Sequence, residues 1–396
     1  MLAKLIVIAG LGLVVYVYAG YPTLLWLLAK LREKRIHRAA ITPAVSMIIA
    51  VHNEESVLSQ KLENALALDY PREQLEILVV SDGSTDDSEN IASRYASQGV
   101  SLLRLDRCGK LRALEAAAAR ARGEILAFTD ANTWVAPRAL RALVANFADP
   151  DVGGVCGQKR VGRPSQAEAV AVGEGSYWKY EQLVKKLESR TGSTIAADGA
   201  LYAIRRELFH CCSNPAQADD FAISARIPMV GKRLVFETDA DVWEEPPSSA
   251  REEFRRKTRV TNHLIRSVWE ARRALNPFRT GLFAMKLWSH KLLRYFVPFP
   301  LALAWIASLS LAGDSILYAL LLGTQCAFYA LAVTGAALQH QGVGSSPLLH
   351  TPFYFCLAHL AALIGVFSVL RGRRIVAWTH ARADWNPRSL GRLDTR

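Results

Sequence analysis

The stretch Ile125-Leu126-Ala127-Phe128-Thr129-Asp130-Ala131-Asn132 decides the fold. A short apolar run delivers a carboxylate, Asp130, and a carboxamide, Asn132, to what reads as the end of a strand. Strand ends are where an open α/β sheet keeps its ligands. Upstream, Ile77-Leu78-Val79-Val80 runs into Ser81-Asp82-Gly83-Ser84-Thr85-Asp86 in the same way. Two strands offering acids at one sheet edge point to a site for a nucleotide and a divalent metal. Carboxylate oxygens suit hard cations such as Mg²⁺ and Mn²⁺, and Mg²⁺ is held mostly by one or two carboxylates together with substrate phosphates.

Outward from that stretch, strands and helices alternate. Val45–Val51 is a short apolar strand ending in His52-Asn53-Glu54-Glu55. A helical pattern follows through Leu58, Leu62, Ala65 and Leu66, and Pro71 closes it. Residues 75–80 read as a strand, 86–98 as a helix, 100–105 as a strand and 110–122 as an Ala-rich helix with Gly123 just past its end. Residues 125–129 are the next strand and 137–147 another helix. This alternation predicts an α/β fold, a mostly parallel sheet with helices on both faces. From Ala169 the pattern changes. Residues 175–189 carry Tyr177, Trp178, Tyr180 and Leu183 among charges, which suits an amphipathic helix. Asp198-Gly199-Ala200-Leu201-Tyr202 reads as a turn feeding a strand, and Asp219-Asp220-Phe221 opens a further helix. Acids at a helix start are favoured by its dipole, so capping alone also accounts for that pair.

Hydrophobic residues make up 51% of the chain, and the excess sits at its two ends. Residues 5–29 carry no charge and are long enough to cross a bilayer. Lys30, Arg32, Lys34, Arg35 and Arg38 follow at once, without a small-residue cleavage site, which favours an anchor over a secretory signal. That basic cluster belongs on the cytoplasmic side. Three more apolar runs close the chain, at 295–312, 316–338 and 352–370. The first contains Pro298 and Pro300 and follows residues 282–294, where Phe283, Leu287, Trp288, Leu292 and Leu293 mix with Lys286, Lys291 and Arg294. Such a mixture suits a helix lying in the membrane interface. Burial inside a soluble domain is the alternative for these runs. Three crossings place the tail outside, whereas its arginines (Arg371, Arg373, Arg374, Arg382, Arg388, Arg392, Arg396) place it inside. Either one run does not cross fully or the tail is an exception. The net charge of +12 flanks the apolar ends, so membrane lipids explain it better than nucleic acid, for which no motif is present. Cys108, Cys156, Cys211, Cys212, Cys326 and Cys356 lack C-x-x-C spacing and read as reduced thiols. The expected organisation is a transmembrane helix at 1–30, a basic linker at 31–43, a cytoplasmic domain at 44–277, an interface helix at 278–294, transmembrane helices at 295–371 and a basic tail at 372–396.

Over about residues 44–262 the chain resembles the membrane-bound family 2 glycosyltransferases, relatives of cellulose, chitin and hyaluronan synthases. The resemblance rests on the order and spacing of several motifs. The polar N-E turn is Asn53-Glu54, and the D-G-S-x-D motif is Asp82-Gly83-Ser84-Thr85-Asp86. A G-K step before an Ala-rich helix is Gly109-Lys110, and the D-x-D motif is Asp130-Ala131-Asn132. T-E-D followed by L-x-x-R is Ala218-Asp219-Asp220 with Ile223-Ser224-Ala225-Arg226, and Q-x-x-R-W is Arg256-Lys257-Thr258-Arg259-Val260.

The resemblance implies a GT-A type nucleotide-binding, Rossmann-like fold flanked by N- and C-terminal transmembrane helices. It implies that Asn53 and Glu54 line the nucleotide pocket, that Asp82 contacts the base and that Lys110 lies near the nucleotide. Asp130, with Asn132, would hold Mg²⁺ or Mn²⁺; the second ligand is here an uncharged amide. Asp220 takes the place of the catalytic base, with Asp219 beside it, and an inverting transfer needs such a base to take the acceptor hydroxyl's proton. Asp198 and Gly199 border the acceptor path, and Arg256 and Arg259 steady the diphosphate. Val260 replaces the Trp that underlies the acceptor sugar in the synthases, and an extra Arg suits a diphosphate or a lipid phosphate. The implied protein is a glycosyltransferase of the bacterial inner membrane with a cytoplasmic catalytic domain. It would move a sugar from a nucleotide sugar, UDP-linked, to a lipid or glycan acceptor in cell-surface or exported polysaccharide synthesis, alongside export or assembly partners. Two rival readings are single-sugar transfer to a polyprenyl phosphate or lipid-linked acceptor, and a non-catalytic nucleotide-sugar-binding subunit.

Overall fold

The computed structural model describes residues 1–162, 169–210, 219–341 and 346–375. The described residues fall into two compact units, one from 32–163 and 188–245, the other from 1–31, 164–187 and 246–375.

The first unit is built on one sheet of eight strands: β1 (Val45–Val51), β2 (Leu75–Asp82), β3 (Val100–Leu105), β4 (Ile125–Asp130), β5 (Thr133–Val135), β6 (Val152–Val161), β7 (Tyr202–Arg205) and β8 (Arg233–Glu244). Their order is β3-β2-β1-β4-β7-β6-β8-β5. The β1–β2, β1–β4, β2–β3 and β6–β8 pairs are parallel, whereas β4–β7, β6–β7 and β5–β8 are antiparallel. The sheet is thus mixed, with the parallel half where the alternation of strand and helix predicted it.

Alternate residues of each central strand enter opposite cores. Met47, Ile49, Ile77 and Val79 pack with Leu58, Leu62, Leu140 and Leu143 on one face. Ile48, Ala50, Leu78 and Val80 pack with Leu111, Leu114, Ala117 and Ile223 on the other. Helices on both faces explain why β1 and β2 read as continuous apolar runs rather than as alternating ones. Each aliphatic side chain buried in this way contributes about 1.5–3 kcal/mol. The connections from β1 through β2 to β3 run to one side, and β4 returns to the other side of β1. That reversal opens a crevice at the carboxyl ends of β1 and β4, where Ala50 pairs in register with Asp130.

The second unit is helical. Leu2–Leu31, Ile316–Ala337 and Pro347–Leu370 are long and apolar enough to cross a membrane. Leu282–Phe296 and Pro298–Leu311 form a pair bent by 52°. Proline at 298 removes a backbone donor at the bend, which is where a helix yields. The helices Ala169–Arg190 and Ala250–Glu270 join this unit through their apolar faces. Val184 and Leu187 pack on Tyr21 and Leu25, while Phe254 packs on Phe353 and Leu357. Polar residues are buried here in groups. Glu181 accepts from Lys291 Nζ at 3.2 Å and Arg294 Nη1 at 2.7 Å, and Arg294 lies over the rings of Tyr177 and Tyr180. Cys326 and Cys356 belong to this unit and Cys108 and Cys156 to the other; Cys211 and Cys212 lie outside the described residues, as does the basic tail beyond Ile375.

Candidate active site

Asp82 ends β2 and is fully buried. Its Oδ1 accepts from the backbone N–H of Cys108 at 2.6 Å and of Gly109 at 2.9 Å, and its Oδ2 pairs with Arg107 Nη1 at 2.8 Å. The carboxylate therefore ties down the loop that delivers Lys110. Gly109 has φ 92°, a conformation that costs other residues heavily, so the loop requires glycine there. Opposite, Asn53 sits at φ 56°, and its Oδ1 accepts the N–H of Thr85 at 2.8 Å. Asn is among the few residues that enter this region readily. Glu54 is buried, and its Oε2 has no hydrogen-bond partner. Burial, reinforced by the charge of Asp130, pushes its pKa up to about 7.

Three elements converge on one ammonium. Lys110 opens the helix Lys110–Arg120, and its Nζ stands 2.7 Å from Asp130 Oδ1 and 2.9 Å from Asp219 Oδ2. Burial alone would lower the Lys110 pKa, but the two carboxylates outweigh it and the pKa is raised. Burial pushes Asp219 upward too, yet Lys110 holds it below the ordinary value. For Asp130 burial prevails over Lys110, and its pKa is raised. Among the described residues no cation is in contact with Asp220: burial, then the charge of Asp219, push its pKa up to about 7. Its backbone oxygen accepts from Ser224 Oγ at 2.6 Å, and that oxygen in turn accepts the N–H of Ala197 at 2.8 Å. This chain of bonds couples the Asp219–Ser224 helix to the turn at Asp198 and Gly199. Gly199 lies against Asp130 so closely that a Cβ there would stand 2.9 Å from Oδ2. Asp198 is half-buried, and its charge adds to the upward push on Asp220. Asn132 is half-buried in the turn between β4 and β5.

Lys110, Asp130 and Asp219 are therefore in direct contact, Gly199 packs beside Asp130 with no room for a Cβ, and Glu54, Asp198 and Asp220 lie within reach of their charges. Arg256 and Arg259 are on the Ala250–Glu270 helix of the other unit. There Arg256 pairs with Glu174 and, at 2.7 Å, with Glu253. Ala218 lies outside the described residues.

The donor set fits a divalent cation. Among the described residues no three His, Cys, Asp or Glu side chains converge closely enough to hold one unaided. Glu54 nevertheless keeps a buried carboxylate oxygen without a hydrogen bond, and burial first, with neighbouring carboxylates adding to it, raises the pKa values of Glu54 and Asp130. Asp130 and the amide of Asn132, two residues on, are oxygen donors of the kind that would hold Mg²⁺ or Mn²⁺ together with diphosphate oxygens. Sequence reasoning missed Lys61, Arg107 and Tyr202. Lys61 carried a signal, since it sits on the apolar stripe of Leu58, Leu62 and Ala65. Tyr202 did not; its hydroxyl is buried without a hydrogen-bond partner and its ring stacks on Phe128 at 4.8 Å.

Residues 46–212 match the family described as Glycosyl transferase family 2. Relatives include the beta-monoglucosyldiacylglycerol synthase of Nostoc sp., 30% identical over 36% of this chain and 30% of its own length. The poly-beta-1,6-N-acetyl-D-glucosamine synthase of Staphylococcus aureus is 24% identical over 50% of this chain and 49% of its own. The matched region thus spans half or less of these relatives. Among solved structures, the mannosyltransferase PcManGT from Pyrobaculum calidifontis, in complex with GDP-Man and Mn²⁺, superposes with a TM-score of 0.65 at 27% identity, covering 90% of this chain and 99% of that one. The chain carries a family 2 glycosyltransferase domain with the GT-A fold.

Proposed function

We propose that the chain transfers a sugar, with inversion, from a nucleoside-diphosphate sugar to an acceptor at a membrane surface. The observation that carries this reading is the Lys110 ammonium held between Asp130 and Asp219, with Asp220 beside them at a pKa of about 7. A carboxylate poised near 7 is about half ionised at neutral pH, and its charged form is basic enough to accept a proton from a hydroxyl. Asp220 would take the acceptor's proton while the acceptor oxygen bonds to the anomeric carbon and the bond to the leaving diphosphate breaks. Asp130 and Asn132 would hold Mg²⁺ or Mn²⁺, which when bound neutralises charge on the diphosphate. Lys110 supplies a fixed positive charge at the same place. Asn53, Glu54 and the loop organised by Asp82 would form the wall of the nucleotide pocket. Asp198 and Gly199 would border the acceptor path. Arg256 and Arg259 remain proposed diphosphate contacts.

The resemblance to the synthases supports a UDP-sugar donor, and the Pyrobaculum neighbour, whose title names GDP-Man, supports a GDP-sugar. Three helices fit to span a membrane, and the basic cluster after the first, support an integral inner-membrane enzyme whose catalytic domain is cytoplasmic. Val260 in place of the synthases' Trp, together with the glycolipid synthase relative, favours transfer of one sugar to a lipid acceptor over a long polymer. The test is UDP and GDP release from detergent-purified protein given a panel of nucleotide sugars, Mn²⁺ and a bacterial lipid extract. Release with one donor, lost in Asp220→Asn and accompanied by a labelled product that partitions into organic solvent, is the expected result. Equal release by Asp220→Asn would overturn the assignment of the base.

A further inference from the structure

Lys61 projects from the helix Glu55–Leu66 and is 2% exposed. Its Nζ donates to Thr129 Oγ1 at 2.8 Å, to the Thr133 backbone oxygen at 2.9 Å and to Thr133 Oγ1 at 3.1 Å. An ammonium has three donors, so all are used, and all go to neutral oxygens. A buried cation without a carboxylate in contact is costly, and burial lowers the Lys61 pKa to about 7. An apolar residue would fill the same space at less cost, so packing does not account for a lysine here.

The acceptors say what the amine does. Thr129 and Thr133 flank Asp130-Ala131-Asn132 on either side. Thr133 Oγ1 lies 2.9 Å from the Asp130 backbone oxygen, and Thr129 Oγ1 lies 2.8 Å from the Ala200 backbone oxygen. Ala200 follows Gly199, where an added Cβ would stand 2.9 Å from Asp130 Oδ2. One buried amine thus fixes both backbone segments that set where that carboxylate stands. One helical turn on, Asn64 bonds both backbone groups of Val135, at 2.8 and 2.9 Å, and fastens the same helix to β5 without touching the turn.

We propose that Lys61 is a positioning residue for sugar transfer, holding the Asp130-Ala131-Asn132 turn and the Gly199-Ala200 backbone through Thr129 and Thr133 so that the turn binds a divalent cation. The proposal rests on the reading of Asp130 as the metal-binding carboxylate, and the experiment separates the two. Mn²⁺ binding to the full-length purified protein in the presence of UDP or GDP is followed by the EPR signal of free Mn²⁺, with kcat and KM measured in parallel. Lys61→Met is expected to weaken Mn²⁺ binding at least tenfold and to lower kcat more than it raises donor KM. Thr133→Val, which keeps the amine and removes one of its acceptors, should move both in the same direction and serves if Lys61→Met does not fold. Asn64→Ala should lower the melting temperature and leave Mn²⁺ binding unchanged. Wild-type Mn²⁺ binding in folded Lys61→Met, or in Thr133→Val if that variant alone folds, while Asp130→Asn loses the ion, would overturn the role of Lys61 alone. Wild-type binding in Asp130→Asn would overturn the metal reading itself.

Discussion

Replacing Gly199 by alanine isolates the position of one carboxylate. The added Cβ would meet Asp130 Oδ2 at 2.9 Å, Oδ1 at 3.4 Å and Cγ at 3.5 Å, and it meets no other atom as closely. Ordinary non-bonded contact begins at about 3.5 Å, so the carboxylate must withdraw by roughly half an ångström. It is already anchored, because Lys110 Nζ lies 2.7 Å from Oδ1 and 2.9 Å from Asp219. The displacement therefore stretches the ion pair or drags the amine away from Asp219. Misplacement by about 1 Å in an active site costs on the order of a hundredfold, so half of that predicts about a tenfold loss in kcat/KM. Stability should barely change: Gly199 is not among the residues with positive φ, and Gly→Ala at a compatible backbone gains about 0.4–1 kcal/mol through the unfolded chain, which offsets the strain. Nucleotide release and thermal melting of the same detergent-purified sample check both halves. Full activity would refute the claim that the Asp130 position limits the reaction. A collapse of the melting temperature with proportionate loss of activity would refute the claim that the effect is local.

Three further outcomes follow from the same centre. Because the folded-state pKa of Asp220 lies above its unfolded value, the native protein binds more protons between about pH 4 and 7, and this carboxylate makes the fold less stable as pH rises through that window. Activity should accordingly fall below about pH 7, while Asp220→Asn, though inactive, should show a smaller drop in melting temperature between pH 5.5 and 8; an unchanged drop would sink the assignment. Lys110→Met leaves Asp130 and Asp219 facing each other without their shared cation, and should lower kcat at least a hundredfold in the nucleotide-release assay, with a smaller change in donor KM. Asp82→Asn removes the charged partner of Arg107 from a fully buried position and should destabilise the protein by about 1.5–3 kcal/mol in denaturant melts, besides weakening nucleotide binding in calorimetry.

How far this site is legible in the chain depends on how local its causes are. The crevice at Asp130 follows from β1, β2 and β4, each an apolar run of six to eight residues buried on both faces, and such runs announce themselves. The antiparallel half does not. β6 begins Val152-Gly153-Gly154-Val155-Cys156-Gly157, and glycine in that density reads as loop. The structure supplies the reason for it: a Cβ on Gly157 would stand 2.7 Å from the Ala240 backbone oxygen, so close approach of a distant strand requires glycine there, and a Cβ on Gly154 would press on the side chain of Ile227. The same distance in sequence hides the union of Lys110, Asp130 and Asp219. Motif spacing sets each residue near a nucleotide, but that one ammonium joins two of the acids depends on three elements meeting at the switch point. The energetic logic is likewise collective. Glu54, Asp130, Asp198, Asp219 and Asp220 gather around Lys110, with the Lys61 amine fixed behind the turn, and no single pattern in the chain counts those charges. Burial first, and the neighbouring carboxylates second, push Glu54 and Asp220 up to about 7, so part of this negative charge is held as protonated acid near neutral pH. A bound divalent cation would relieve the excess and return those carboxylates to their charged forms, so the same crowding that costs stability without the ion favours its uptake.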